Sequence, residues 1–145
     1  MQVDFYHLTR DPAEVLVPML AAKTLDIGKR LLLLVEDEAH CAILSNALWS
    51  AQPASFLAHD VAGSERQADQ PILISDTCDP ANGASYIILA DGQWRDGALA
   101  FERAFFLFSA AQIDHARTVW RQLAASEDVT PRYWKQDSGR WVEGP

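Results

Sequence analysis

The sequence predicts an α/β protein built on an open, mostly parallel sheet with flanking helices. Leu31 to Val35 is an unbroken apolar run, the pattern of a strand covered on both faces. Residues 111–124 are strongly periodic, with Ile113, Ala116, Val119, Trp120 and Leu123 on one helical face. Around these two segments, short apolar runs alternate with helical stretches, the order from which parallel sheets are assembled.

Val3 to Leu8 reads as the first strand, carrying Phe5 and Tyr6. Asp11-Pro12 is a helix start, because proline suits the first helical position and Glu14 suits the positive first turn. That helix is expected to run toward Asp26, to be disturbed at Pro18, and to stop at Gly28. The strand at 31–35 leads into a helix from Asp37 to Trp49. Two short strands follow, Ile72 to Ser75 and Tyr86 to Ala90, separated by the Asp-Pro-Ala-Asn-Gly loop at 79–83. A helix is expected over 97–104, then a strand from Phe105 to Phe108, then the 111–124 helix. Tyr133 to Lys135 and Arg140 to Val142, flanking Gln-Asp-Ser-Gly, predict a terminal hairpin.

The chain has 145 residues, enough for one domain over residues 1–145 with a substantial core. With 49% hydrophobic residues it is not a disordered chain. A net charge of −8 argues against a broad duplex-DNA footprint, which needs a phosphate-neutralising basic surface. The charge is uneven: residues 1–95 hold 13 acids and 6 bases, whereas residues 96–145 hold 7 and 6. A local basic site is therefore to be sought in the C-terminal third. Cys41 and Cys78 match no metal or disulfide spacing. Without a signal-peptide pattern or a long apolar run, the chain is expected to be cytoplasmic, reduced and not membrane-bound.

Carboxylates gather at predicted strand ends: Glu36, Asp37 and Glu38 after one strand, Asp76 after another. Ligands of open α/β sheets bind outside those ends, so a Mg²⁺-dependent phosphoryl-transfer enzyme is one reading. The simpler one is that Asp37 caps the helix and Glu38 favours its positive end. No G-x-G-x-x-G or complete P-loop accompanies the carboxylates. His7, His40, His59 and His115 lack metal-ligand spacing, and Ser45 and Ser55 sit in no nucleophile elbow. No cofactor is implied.

Two aromatic features suit binding better than catalysis. Trp49 falls on the flank of a helical stripe formed by Cys41, Leu44, Ala47 and Leu48, and Phe56 follows seven residues later in a Pro-containing loop. The pair forms either an exposed aromatic anchor or a patch covered by its own loop. In the last long helix, Arg117 and Arg121 are four apart beside Trp120. A guanidinium pair at an apolar edge can grip a carboxylate together with the hydrophobic residue attached to it, or form an ordinary solvated flank.

Phe5-Tyr6-His7-Leu8, Gly28-Lys29-Arg30, Glu36-Asp37-Glu38, Ala47-Leu48-Trp49, Ser55-Phe56, His59 and Ala62-Gly63 follow in a characteristic order and spacing. In these residues the chain resembles the chi subunit of the bacterial DNA polymerase III holoenzyme, most strongly over residues 28–75. The resemblance implies a Rossmann-like α/β fold and a non-enzymatic replication adaptor. Its implied partners are the acidic C-terminal tail of single-stranded DNA-binding protein and the psi subunit of the clamp loader. It implies a psi interface at Trp49 and Phe56. It places tail binding at Arg117, Trp120 and Arg121, with Leu107 and Phe108 as the apolar wall; beyond what the resemblance implies, Arg132 and Lys135 are expected to extend the basic path. The family aromatic at position 120 is commonly a tyrosine, so Trp120 gives up a hydroxyl. The basic segment the family carries near 76–85 is here Asp-Thr-Cys-Asp-Pro-Ala-Asn-Gly-Ala-Ser.

Overall fold

A computed structural model describes residues 1–50, 58–137 and 140–144. Among them lie β1 (Gln2–Leu8), α1 (Ala13–Asp26), β2 (Leu31–Leu34), α2 (Glu38–Ser50), β3 (His59–Val61), β4 (Ile72–Ser75), β5 (Tyr86–Leu89), β6 (Arg103–Ser109), α3 (Ile113–Ala124), β7 (Thr130–Asp137) and β8 (Arg140–Glu143). The strands form one eight-stranded sheet in the order β3-β4-β2-β5-β6-β1-β7-β8. Every neighbouring pair is parallel except β7 with β8. The protein is thus α/β with a mostly parallel sheet, as the alternation of patterns predicts. No helix among the described residues is long and apolar enough to cross a membrane.

The sheet separates two cores, and the two-residue period of its strands decides which side chain enters which. On the α1/α2 face, Tyr6, Leu31, Leu33, Phe105 and Leu107 pack with Leu16, Leu20, Leu44 and Leu48. On the α3 face, Val3, Phe5, Leu32, Leu34, Phe106 and Phe108 pack with Ala116, Val119 and Leu123. Because β2 faces a core on both sides, all four of its leucines are fully buried.

Helix α1 continues through Pro18 to Asp26. It ends where Gly28 takes a φ of +78°. There Gly28 N–H donates to Leu25 O at 3.0 Å and Lys29 N–H to Thr24 O at 3.1 Å, the reciprocal pair that closes a helix on a left-handed residue. Two expectations are corrected and a third, the terminal hairpin, is met and extended. The helix expected over 97–104 is present only as a short 3-10 helix over Asp96–Ala100, which gives way to β6 at Arg103. Packing overrides the helical preference of its alanines, since Ala98 and Phe101 are drawn into the core and Gly97 lies against Cys78. Strand β3 lies where the sequence reads as loop, because three residues at a sheet edge leave too short a pattern. The terminal hairpin is more than a hairpin: β7 pairs in parallel with β1 from Gln2↔Thr130 to His7↔Lys135.

That pairing rests on Asp4. Its carboxylate is fully buried and accepts from Arg103 Nε at 2.7 Å, Trp134 Nε1 at 3.0 Å and Gln2 Nε2 at 3.0 Å. One group thereby ties β1 to β6 on one side and β7 on the other. Removing it leaves the Trp134 indole and the partly buried Arg103 without their acceptor. Asp4→Ala is expected to lower stability by ~2–3 kcal/mol in urea denaturation, the scale for hydrogen bonds to a charged group.

Candidate functional site

Helix α3 is set down by its N-terminal anchor. Gln112 Oε1 accepts from Ser109 N–H at 3.0 Å, and Gln112 Nε2 donates to Asp91 O at 2.9 Å. A side chain at Gly92 would overlap the Gln112 amide, and Gly92 itself has a φ of +74°. This fixes the helix over β1 and β7, with Ala116, Val119 and Leu123 inward and Arg117 and Arg121 outward.

Between α3 and the sheet is a cavity of about 320 Å³ lined by Phe5, Ile113, Ala116, Arg117, Trp120, Arg121 and Tyr133. Its walls are aromatic. Phe5 and Trp120 meet edge to face at 5.1 Å, and Trp120 and Tyr133 do so at 6.1 Å, geometries that rings favour. Among the described residues, the charged groups lining it are the two guanidiniums. Arg117 Nη1 lies 3.8 Å from Asp114 Oδ1, a contact exposed at both ends and therefore weak. Arg121 Nη2 donates to Thr118 Oγ1 at 3.4 Å. The Arg117 charge reaches into the site: after burial, it is the second cause that lowers the His7 pKa. Burial raises the Tyr133 phenol, and Arg117 partly offsets that rise. The arrangement is a cationic rim over an apolar slot, suited to an anion attached to a bulky apolar group.

Arg117, Trp120 and Arg121 are thus brought together around one opening. Leu107 and Phe108 do not line it. Consecutive strand residues face opposite sides, and the two residues come together only at the end of β6, where both border a separate cavity with Leu8, Asp11 and Ser109. Leu107 is sealed into the α1/α2 core. Phe108 lies on the α3 side but one layer down, its ring 6.0 Å from Tyr133. Phe5, Ile113 and Tyr133 supply the wall instead. Tyr133 was legible only as half of a hairpin; its alternation against Trp134 identifies its face once β7 is known to pair with β1. Lys135 shares that face, whereas Arg132 alternates to the other and lies 3.7 Å from Glu143.

At the second predicted patch, Trp49 is half-exposed at the end of α2. Its ring centroid is 4.4 Å from that of buried His59, whose Nε2 is 2.8 Å from Ser45 Oγ. Phe56 lies outside the described residues.

The strand-end carboxylates part company. Asp37 Oδ1 accepts the Ala39 N–H at 3.3 Å, a capping contact. Glu36 lies 3.1 Å from Arg95, which also holds Asp91 through two bonds of 2.9 and 2.7 Å. Glu36, Glu38 and Asp76 border one shallow cleft. Among the described residues, however, no three His, Cys, Asp or Glu side chains are grouped to hold a metal ion.

Burial alone would raise the Asp91 carboxyl, but the hydrogen bonds and charge of Arg95, with the Gln93 N–H, hold it below the usual carboxylate range. A depressed folded-state pKa gives stability that is present above the unfolded value of about 3.9 and is lost as pH falls through the folded value. Asp91→Asn should therefore be less stable than the native chain at neutral pH. In urea titrations at stepped pH, that gap should shrink below about pH 4.

Comparison with known proteins places this geometry in a family. The family described as DNA polymerase III chi subunit, HolC, matches residues 1–129. DNA polymerase III subunit chi of Escherichia coli (strain K12) is 37% identical over 62 residues, covering 43% of this chain and 42% of that protein. The matched stretch thus spans less than half of that relative. Strands β7 and β8, and with them Tyr133, lie beyond the family match. On the match over residues 1–129, the chain belongs to the DNA polymerase III chi subunit family.

Proposed function

We propose that this protein is a non-catalytic replication adaptor in the cytoplasm. In this reading the α3 pocket holds the acidic C-terminal tail of single-stranded DNA-binding protein. A psi-like subunit, seated on Trp49 and Phe56, links the adaptor to the DNA polymerase III clamp loader. The observation that carries the reading is the cavity between α3 and the sheet, where Arg117 and Arg121 rim an aromatic slot with no carboxylate in its lining among the described residues. Family membership supports the replication role, and the α/β domain serves as a Rossmann-like support for both surfaces.

The tails end in a phenylalanine with a free carboxylate. Arg117 pairs with that carboxylate, Trp120 with Phe5 and Ile113 receives the ring, and Arg121 attracts the acidic residues before it. Charge-assisted contacts of this kind are stronger than neutral ones, and arginine suits planar carboxylates. With a net charge of −8, the protein repels nucleic acid and reaches it through the protein that coats it. Trp49, half-exposed, offers a large indole of the kind that anchors protein interfaces.

Arg117→Ala should weaken binding of a labelled tail peptide by ~2 kcal/mol, roughly thirtyfold, in fluorescence anisotropy. Added salt should weaken the native complex, since a partly exposed ionic contact is screened; a salt-indifferent affinity contradicts the carboxylate clamp. Trp49→Ala should leave tail affinity unchanged while abolishing co-purification with a psi-like subunit. Loss of tail binding in that variant, with its melting temperature intact, would contradict two separate surfaces.

A further inference from the structure

Tyr133 is the hydroxyl-bearing residue among those described that line the α3 cavity. Its oxygen lies 3.1 Å from His7 Nδ1. The two residues are diagonal neighbours on the α3 face, because Tyr133 is opposite Phe5 and His7 is two residues further along β1. The His7 ring is itself fixed, stacked on Phe108 at 5.1 Å and 12°. Its Nε2 is buried with no hydrogen-bond partner among the described residues. A proton on Nε2 would strand an N–H donor away from water, a rare and costly defect. The Nδ1 tautomer avoids it. Nδ1–H then donates to the Tyr133 oxygen, and the phenol's own proton is left for a second acceptor. Tyr133 lines the cavity alongside Arg117 and Arg121, and among the described residues no lining carboxylate takes that proton.

We propose that Tyr133 is a specificity-determining residue: its phenol, oriented by His7 Nδ1, donates to the ligand carboxylate that Arg117 pairs with. This assignment rests on the reading of the α3 pocket as a peptide-carboxylate site. His7 acts as a positioning residue, since it touches Tyr133 rather than the ligand. The chemistry selects for a free carboxylate. Guanidinium and phenol are both donors, so a terminal carboxamide turns its own N–H₂ donors toward at least one of them. A site built around donors rejects a ligand lacking the matching acceptor. The positive charge of Arg117, felt at both His7 and the phenol, further favours an anion over its neutral counterpart.

The test uses two acidic peptides of one sequence ending in phenylalanine, one with a free C-terminal acid and one amidated, titrated against the full chain and Tyr133→Phe. The native chain should prefer the acid. Tyr133→Phe keeps the ring but removes the acceptor of His7 Nδ1–H, so its melting temperature should fall modestly while the chain stays folded; it should weaken the acid roughly tenfold and leave the amide unchanged. Equal loss for both peptides, or no loss for the acid, overturns the role of the hydroxyl alone. Failure of the native chain to bind the acid overturns the pocket reading, and this assignment with it. Long-range ¹H–¹⁵N spectra of the native chain should show His7 protonated on Nδ1; protonation on Nε2 overturns the positioning role of His7.

Discussion

The buried carboxylate of Asp4 is the constraint on which the functional end of the molecule depends. A charge removed from water is costly unless its oxygens are filled with donors. Here Gln2, Arg103 and Trp134 fill them, and the donors come from three different strands. The group therefore does more than satisfy itself. It determines that β7 lies beside β1, and β7 in turn carries Tyr133 on the face turned to α3. An apolar residue at position 4 would pack, but it would leave the Trp134 indole and the Arg103 guanidinium to find other partners.

A second consequence follows from the alternation of β7. Trp134 enters the α1/α2 side, where its ring stacks on Tyr6 at 6.1 Å. Tyr133 enters the α3 side, where it meets Trp120 and Phe108. One strand thus braces both cores, and the binding cavity is a gap between α3 and a wall that is rigid for reasons on both faces of the sheet. Preorganised walls reduce the ordering cost of binding, which matters for a pocket of modest size if its ligand is the flexible tail proposed for it.

Much of the architecture was legible in the sequence because it is written in local patterns. The apolar run at Leu31–Val35 and the 3.6-residue period of α3 each state their own environment. The clustering of Arg117, Trp120 and Arg121 is legible for the same reason, since residues three and four apart on a helix are neighbours. What the sequence concealed is long-range. Asp4 looks like any surface carboxylate in an alternating strand, and only its contacts with positions 103 and 134 reveal its burial. Leu107 and Phe108 look interchangeable until the strand period assigns them to opposite cores. The short 3-10 helix at 96–100 reads in the sequence as a longer helix because its alanines state a propensity that tertiary packing overrides. Tyr133 as part of the pocket was not legible, because its partners Phe5 and His7 are far away in the chain.

These features support the proposed reading of recognition over the enzymatic alternative. The carboxylates that suggested an enzyme are engaged separately, Glu36 with Arg95 and Asp37 with its own helix. The cationic rim and aromatic slot, by contrast, meet in one place and present complementary properties to one ligand. The most direct measurement is a fluorescence anisotropy titration of the native chain with a labelled acidic tail peptide and with the same peptide lacking its final phenylalanine. The account predicts saturable binding of the complete peptide and little of the shortened one, because both the ring and its attached carboxylate are displaced. Equal binding of the two, or binding of neither, would contradict it.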